Sequence, residues 1–502
     1  MSTPLLTLFS HNAQGGLRER LCATLRQAIA AGHLSFGQKV PSTRQLAGDL
    51  GLSRVTVEAA YAQLESEGYL SREVGRGTFV AIVMPTQTPR AASAELPRFS
   101  SRGSAVIATG GCQDPPFPHA FAAGSPELRA FPHRLWRRLS ASVQRAEGSQ
   151  LMGYGDPLGY LPLRNAVADY LALSRGMRCR PEQVIILTSS QQALQLLAMM
   201  FLDPGDEVWL ETPGYPGARN AFVAAGARCR GVPLDSEGAQ LQSGAAKLLY
   251  LTPSHHYPGG VAMSLPRRLA WLAWAQRHGS WIIEDDYDSE FHYDDRPTPA
   301  MQGLDRHGRV IALGTFSKSL FPSLRLAWMV VPPALVAPLG QARSVMDGHS
   351  AQLPQAVTAA FLQQGHFASH LRLMRQLYRS RRDLLLARLQ PLSPWLTPIA
   401  TPGGLQLTVR LCAGEDEAAL TAQAEKEGLT LPRLSPLAID TPAQPGWILG
   451  FSALSPGEIA TGCAKLAALF RRGGERARER PCPVAHSRRP QGRPSRSPAR
   501  LR

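Results

Sequence analysis

Lys318 lies in a stretch, Val310 to Val331, that reads VIALGTFSKSLFPSLRLAWMVV. Thr315 and Ser317 precede the lysine and Arg325 follows it. Upstream, the apolar run Trp281 to Ile283 ends in Glu284-Asp285-Asp286-Tyr287-Asp288. A short apolar run that ends in polar groups is how a buried strand delivers reactive side chains to the edge of an α/β sheet. The groups are an amine that can attack an aldehyde, a carboxylate for a ring nitrogen, a phenol, and hydroxyl and guanidinium donors for a phosphate. That set matches what pyridoxal 5′-phosphate requires.

Other strand ends carry related groups. Val184 to Leu187 runs into Thr188-Ser189-Ser190-Gln191-Gln192 and then a helix from Ala193 to Phe201. Hydroxyls and backbone N–H groups at a helix start suit a phosphate, although they also cap ordinary helices. Val208 to Leu210 leads to ETPGYPG, where Tyr215 can stack on a planar ring or fill a turn. Lys247 to Leu251 leads to TPSHHYPGG. Adjacent side chains such as His255 and His256 point apart, and no carboxylate stands at ligand spacing, so no metal site is expected. Taken singly, Asp285 could be a cap, Lys318 a solvated lysine and Arg325 an ion-pair partner. Five strand ends in order, each with a suitable group, point instead to one site in an alternating α/β domain over residues 114–472.

The N-terminal segment, 1–83, has a different pattern. Leu17, Leu21, Leu25 and Ile29, with Ala28 alongside, make one apolar helix face that Gly32 stops. Ser42 caps a short helix from Thr43 to Leu50, ending at Gly51. Ser53 caps a third, Arg54 to Gly68, with Val57, Ala60, Tyr61 and Leu64 inward. Helix, tight turn and second helix make a helix-turn-helix. Tyr69 to Ser71 and Thr78 to Val80, joined across Gly75-Arg76-Gly77, read as a two-stranded wing. In such a module Arg54 and Thr56 would reach base edges or phosphates, and Arg44 would hold the DNA backbone. A small protein-interaction domain with solvated arginines is the alternative.

Charge does not decide this question. The chain has 502 residues and a formal charge of +16. Eleven arginines against two glutamates lie between Arg471 and Arg502, so the excess is mostly in the tail. Residues 1–83 hold eight basic and six acidic residues. Residues 84–113, rich in Pro, Ser, Ala, Thr and Gly without sustained periodicity, are expected to be a flexible linker. Residues 473–502 are expected to form a basic disordered tail. No apolar run reaches membrane-span length, no leader is expected, and seven scattered cysteines fit a reducing, cytoplasmic setting.

Two resemblances sharpen these expectations. PSTRQLA, LSRVTVEAAY, LESEGYL and GTFV stand in the order of the winged-helix domain of GntR-family bacterial repressors, over nearly all of residues 14–81. That resemblance implies DNA contacts from Arg44, from Ser53, Arg54 and Thr56 at the third helix start, and from the wing around Gly77. YGDPLGYLPLR, DPGDEV, ETPGY, EDDYDSEF, GTFSKSLFPSLRL and PGGL resemble the fold-type I, aspartate aminotransferase-like enzymes from about Phe117 to Phe451. It implies that Lys318 forms the internal aldimine with pyridoxal phosphate and that Asp285 pairs with the ring nitrogen. Tyr287 would donate to the ring hydroxyl and Tyr215 would stack on the ring. Ser189, Ser190, Gln191, Thr315, Ser317 and Arg325 would hold the phosphate, with Tyr154 reaching it from the other subunit of a homodimer. Two departures stand out: SHHYPGG lacks the usual asparagine, and no arginine matches the usual substrate-carboxylate partner.

Together the two parts resemble the MocR subfamily of bacterial regulators. The expected fold is multi-domain, a winged helix-turn-helix followed by an α/β aminotransferase-like domain. The expected function is a DNA-binding regulator that senses an amine, an amino acid or the cofactor itself at Lys318. It would be cytoplasmic and associated with the nucleoid when bound to operator DNA. A working aminotransferase that carries a DNA-binding module is the alternative.

Overall fold

In the computed structural model, residues 2–11, 15–83, 98–111, 120–293, 298–399, 401–440 and 444–474 are described. They divide into two units, 1–98 and 99–502.

The first unit contains α1 (Ser2–His11), α2 (Leu17–Ala30), α3 (Thr43–Leu50), α4 (Arg54–Ser66), β1 (Leu70–Glu73) and β2 (Gly77–Val80). Ser42 and Ser53 accept hydrogen bonds from Gln45 N and Thr56 N, which satisfies the exposed first turns of α3 and α4. Gly51, at φ +64°, ends α3 in the left-handed conformation that a residue without Cβ adopts at little cost. Leu21, Leu25, Ile29, Leu46, Val57, Tyr61, Leu64 and Val80 fill its core. Leu17, expected on the buried face of α2, is 50% exposed because it opens the helix. β1 and β2 pair antiparallel, Leu70 opposite Val80 and Glu73 opposite Gly77, which makes the expected wing.

The second unit begins with α5 (Ser101–Ala108), capped by Ser100. This corrects the expectation that residues 84–113 lack regular structure. The helix has no buried residues, so no apolar period betrays it. Residues 84–97 and 112–113 of that segment, and 475–502 of the expected tail, lie outside the described residues.

Eight strands follow: β3 (Val184–Leu187), β4 (Glu207–Thr212), β5 (Arg228–Asp235), β6 (Gly238–Ala239), β7 (Leu248–Leu251), β8 (Trp281–Asp285), β9 (Val310–Thr315) and β10 (Ala327–Val330). Their order in one sheet is β3-β10-β9-β8-β7-β4-β5-β6. From β9 through β8, β7 and β4 to β5 neighbours run parallel, while β10 is antiparallel to both β3 and β9. Every residue of β3, β7, β9 and β10 is buried, as expected where helices cover both faces of a parallel sheet. The C-terminal ends of β3, β4, β7, β8 and β9 therefore lie along one edge. A smaller antiparallel sheet, β11 (Leu396–Pro398), β12 (Gln406–Leu411) and β13 (Gly446–Gly450), packs with the helices His366–Leu389 and Pro456–Gly474. No helix of the described residues is long and apolar enough to cross a membrane.

Candidate functional site

Arg44 on α3 and Arg54 at the start of α4 are exposed, and neither makes an ion pair with the described residues. Ser53 Oγ lies 2.8 Å from Thr56 Oγ1, so the two hydroxyls fix the start of α4 together. The remaining arginines near the wing are neutralised. Arg72 binds Glu58 at 2.5 Å and Glu65 at 3.0 Å, Arg76 pairs with Glu73, and Arg26 with Glu67. Gly77 has φ +122°, and a Cβ there would stand 2.5 Å from Lys39 Cε. Glycine is thus what lets the wing cross the Lys39 side chain.

In the second unit a cavity of about 390 Å³ opens where the parallel strands end. Six of the expected residues line it: Ser190, Tyr215, Asp285, Tyr287, Thr315 and Lys318. Lys318 sits in a short helix that begins at the end of β9, where Thr315 Oγ1 accepts from Ser317 N. Its Nζ donates to Gly124 O at 2.8 Å. Gly124, at φ +75°, is a close approach: a Cβ there would lie 2.9 Å from Lys318 Nζ.

Asp285 closes β8 and is 4% exposed. Its Oδ2 accepts from the Tyr250 hydroxyl at 2.7 Å, while Oδ1 has no hydrogen-bond partner. Burial pushes the Asp285 carboxyl up to about 7, opposed by the Tyr250 hydrogen bond and the Lys318 charge. A buried carboxylate oxygen facing a cavity calls for a cationic donor from a ligand. Nearby, burial also raises Glu211 to about 7, although Thr252 donates to it from both N and Oγ1.

Tyr287 follows Asp285 and is held from behind. Its hydroxyl is 3.1 Å from His255 Nδ1, which also meets Asp288 Oδ2 at 2.9 Å. Burial, and then the charge of Asp288, keep the phenol protonated well above its ordinary range. Tyr215 packs edge-on against Tyr257, ring centroids 5.6 Å apart. A Cβ at Gly217 would lie 2.5 Å from the Tyr215 ring and 2.6 Å from Gln191 Oε1, so this glycine lets ring and amide meet. His256 turns away from His255: Nε2 donates to Pro213 O, Nδ1 accepts from Gly259 N, and burial lowers its pKa to about 3.

The other expected residues do not line the cavity. Ser189 caps the helix Ser190–Phe201 by accepting from Gln192 N, and Gln191 Nε2 donates to Gly217 O. Ser317 is half-buried beside Lys318, and Arg325 is exposed at φ +53°. Tyr154 is fully exposed, its ring edge-on to His349. The cavity also contains residues that sequence reasoning passed over: Gly124, Tyr250, Tyr257, Asp288 and Gln406. Tyr257 belongs to SHHYPGG, the segment noted for its missing asparagine. Tyr250 was legible as the single polar tip in the run LLYL.

The residues fit pyridoxal phosphate in kind: an amine, an unpaired buried carboxylate oxygen, a phenol and an aromatic face converge on one cavity. Comparison with known proteins agrees. Residues 17–80 match "Bacterial regulatory proteins, gntR family", and residues 126–466 match "Aminotransferase class I and II". The fold and site thus define a winged-helix protein fused to a class I and II aminotransferase domain, whose cofactor is pyridoxal 5′-phosphate. A probable rhizopine catabolism regulatory protein, MocR, of Rhizobium meliloti is 39% identical over 93% of this chain and 96% of its own length. The pyridoxine biosynthesis transcriptional regulator PdxR of Corynebacterium glutamicum is 31% identical over 86% of this chain and 91% of its own. The crystal structure of LysN, the α-aminoadipate aminotransferase of Thermus thermophilus complexed with N-(5′-phosphopyridoxyl)-L-leucine, superposes with a TM-score of 0.66. It is 30% identical and covers 74% of this chain and 95% of its own. The chain belongs to the MocR-type, GntR-family transcription regulators.

Proposed function

We propose that this chain is a homodimeric regulator whose affinity for operator DNA depends on what occupies the Lys318 cavity. The observation that carries the reading is the presence, in one chain, of unpaired arginines on a winged helix and a cavity that sets Lys318 opposite an unpartnered Asp285 oxygen. Arg54 and Thr56 would meet base edges or phosphates, Arg44 the DNA backbone, Ser53 would fix the helix start, and Gly77 would allow the wing to approach.

In the cavity, Lys318 would supply the amine that holds the cofactor. Asp285 would keep a proton on the ring nitrogen, Tyr287 would donate to the ring hydroxyl, and Tyr215 would cover one ring face. Ser189, Ser190, Gln191, Thr315, Ser317 and Arg325 would surround the phosphate, with Tyr154 of a second copy. The full exposure of Tyr154 suits a residue that serves a neighbouring subunit. Bound there, pyridoxal phosphate supplies an aldehyde that takes amines and a ring that withdraws electrons. The signal would be a small amine or amino acid, or the cofactor itself, and either must favour one DNA-binding conformation over another. We place the protein in the cytoplasm, on the nucleoid when bound to DNA.

A duplex selected from random sequence by the full-length protein provides the test. Its affinity is measured with cofactor-loaded and cofactor-stripped protein, with and without amines. The expected change is at least about fivefold. Equal affinity in every state would end the sensing role. The likeness to LysN favours a second reading, an active transaminase. Multiple turnover with amino acid and keto acid pairs would establish it.

A further inference from the structure

The lining of the Lys318 cavity discriminates between chemical classes of amine. Gln406, at the start of β12, is 5% exposed and reaches the cavity from the smaller sheet. Its Nε2 has no hydrogen-bond partner. A Cβ at Gly124 would lie 2.9 Å from Lys318 Nζ and 3.9 Å from Gln406 Oε1, so this one glycine brings the lysine tip and the amide to the same place. A substituent on an amine held beside Lys318 would come within reach of Gln406 Oε1.

A carboxylate on that substituent would need a cation. Among the described residues lining the cavity, Lys318 is the only basic side chain, and Asp285 and Asp288 add negative charge. The Nη groups of the arginines behind this wall are already committed, although Arg381 Nε is buried without a partner. Arg381 donates to Glu127 at 2.7 Å and to Ser452 O, and Arg129 donates to Glu127 at 2.9 Å and to Ala453 O at 2.7 Å. Ser452 in turn donates to Ser125 O, beside Gly124. A carboxylate brought into this wall would share its one cation, Lys318, with the Asp285 and Asp288 carboxyl groups and face an amide oxygen, whereas a hydroxyl would hydrogen-bond that amide at little desolvation cost.

Resting on the reading that the Lys318 cavity senses an amine, we propose that Gln406 selects the effector class: a primary amine with a hydroxyl on the adjoining carbon, in preference to an α-amino acid. Gln406 Oε1, the amide atom nearest Gly124 and the Lys318 tip, accepts from the hydroxyl, and Ala122, Ala123, Leu405 and Pro432 enclose the carbon skeleton.

Three probes share one three-carbon skeleton: 2-amino-1-propanol carries the hydroxyl, alanine the carboxylate, and isopropylamine neither. Each is titrated into full-length, cofactor-loaded protein by calorimetry, with cofactor absorbance followed in parallel. The amino alcohol is expected to bind about tenfold more tightly than the other two. Gln406→Met, which keeps length and loses the amide, should bring the ratio of amino alcohol to isopropylamine close to one. Gln406→Leu serves as a second apolar replacement. Tighter binding of alanine, or an unchanged ratio in both variants, overturns the assignment and leaves amine sensing intact. Failure of all three probes to bind or to move the absorbance overturns both.

Discussion

The Tyr287 hydroxyl stands 3.1 Å from His255 Nδ1, a nitrogen whose proton is directed to Asp288 at 2.9 Å. Since Asp288 can only accept, Nδ1 carries the hydrogen, and Tyr287 can offer it no more than a lone pair. The phenolic proton is thereby turned toward the cavity. On the other side of the ring, Nε2 meets Thr401 Oγ1 at 2.7 Å, which fixes the imidazole plane. His255 is a positioning residue. In His255→Gln, cofactor affinity should fall about five- to tenfold, the loss of roughly one hydrogen bond. Tyr287→Phe should weaken the parent protein but add little to His255→Gln. Equilibrium dialysis of the cofactor against the four proteins measures this coupling, and strict additivity would contradict it.

Lys318 and Gly124 should fail in different ways. Lys318→Ala removes the amine, so borohydride treatment should leave no cofactor attached to the protein. Gly124→Ala keeps the amine but places a methyl 2.9 Å from Nζ at φ +75°. It should retain attachment while weakening cofactor binding and costing about 1 kcal/mol of stability for the strained backbone. Mass measurement after reduction separates the two, and equal attachment in Lys318→Ala and the parent would remove Lys318 from its role.

Arginines of the first unit divide by pairing. Arg54→Ala should cost about 1–3 kcal/mol of specific operator binding, since an exposed, unpaired guanidinium at the start of α4 is available to a base. Arg72→Ala should change operator affinity little, because Glu58 and Glu65 hold its side chain. Its cost to stability is expected to be below about 1 kcal/mol. Titrations at several salt concentrations test both variants. A larger loss from Arg72→Ala than from Arg54→Ala would reverse the assignment.

Cofactor-stripped protein should become less stable as pH rises from about 5 toward 8. Glu290 is buried, its Oε2 lacks a partner, and burial with the Asp286 charge lifts its carboxyl to about 8. Its proton is held in the folded state and lost early in the unfolded one. Stability is then greatest below the unfolded value and declines until the folded group ionises. The slope from this group is on the order of 1 kcal/mol per pH unit. Glu290→Gln should flatten that part of the curve in denaturant titrations, and an identical slope would show that Glu290 does not titrate there.

Much of this architecture was legible in the chain, for physical reasons. Short β-branched runs such as VIIL, bounded by polar groups, are too short for buried helices and read as buried strands, and the strand ends they predicted share one edge of the sheet. Capping serines placed α3 and α4 to within a residue or two. The illegible parts depend on long-range contacts. Gln406 lies 88 positions beyond Lys318, in a strand that reads as ordinary core, and only folding brings its amide to the lysine. His255 looked like half of a histidine pair until Asp288 and Thr401 claimed it. Nor does an exposed helix such as α5 leave an apolar stripe to read.

Gln406 belongs to the three-stranded sheet and Lys318 to the end of the eight-stranded one, so the cavity is a seam between two sheets. A molecule that engages both side chains acts as a rivet across that seam. Its arrival would register mechanically, as slower hydrogen exchange in the amides of Gln406 to Leu411, well away from the atoms it touches on Lys318.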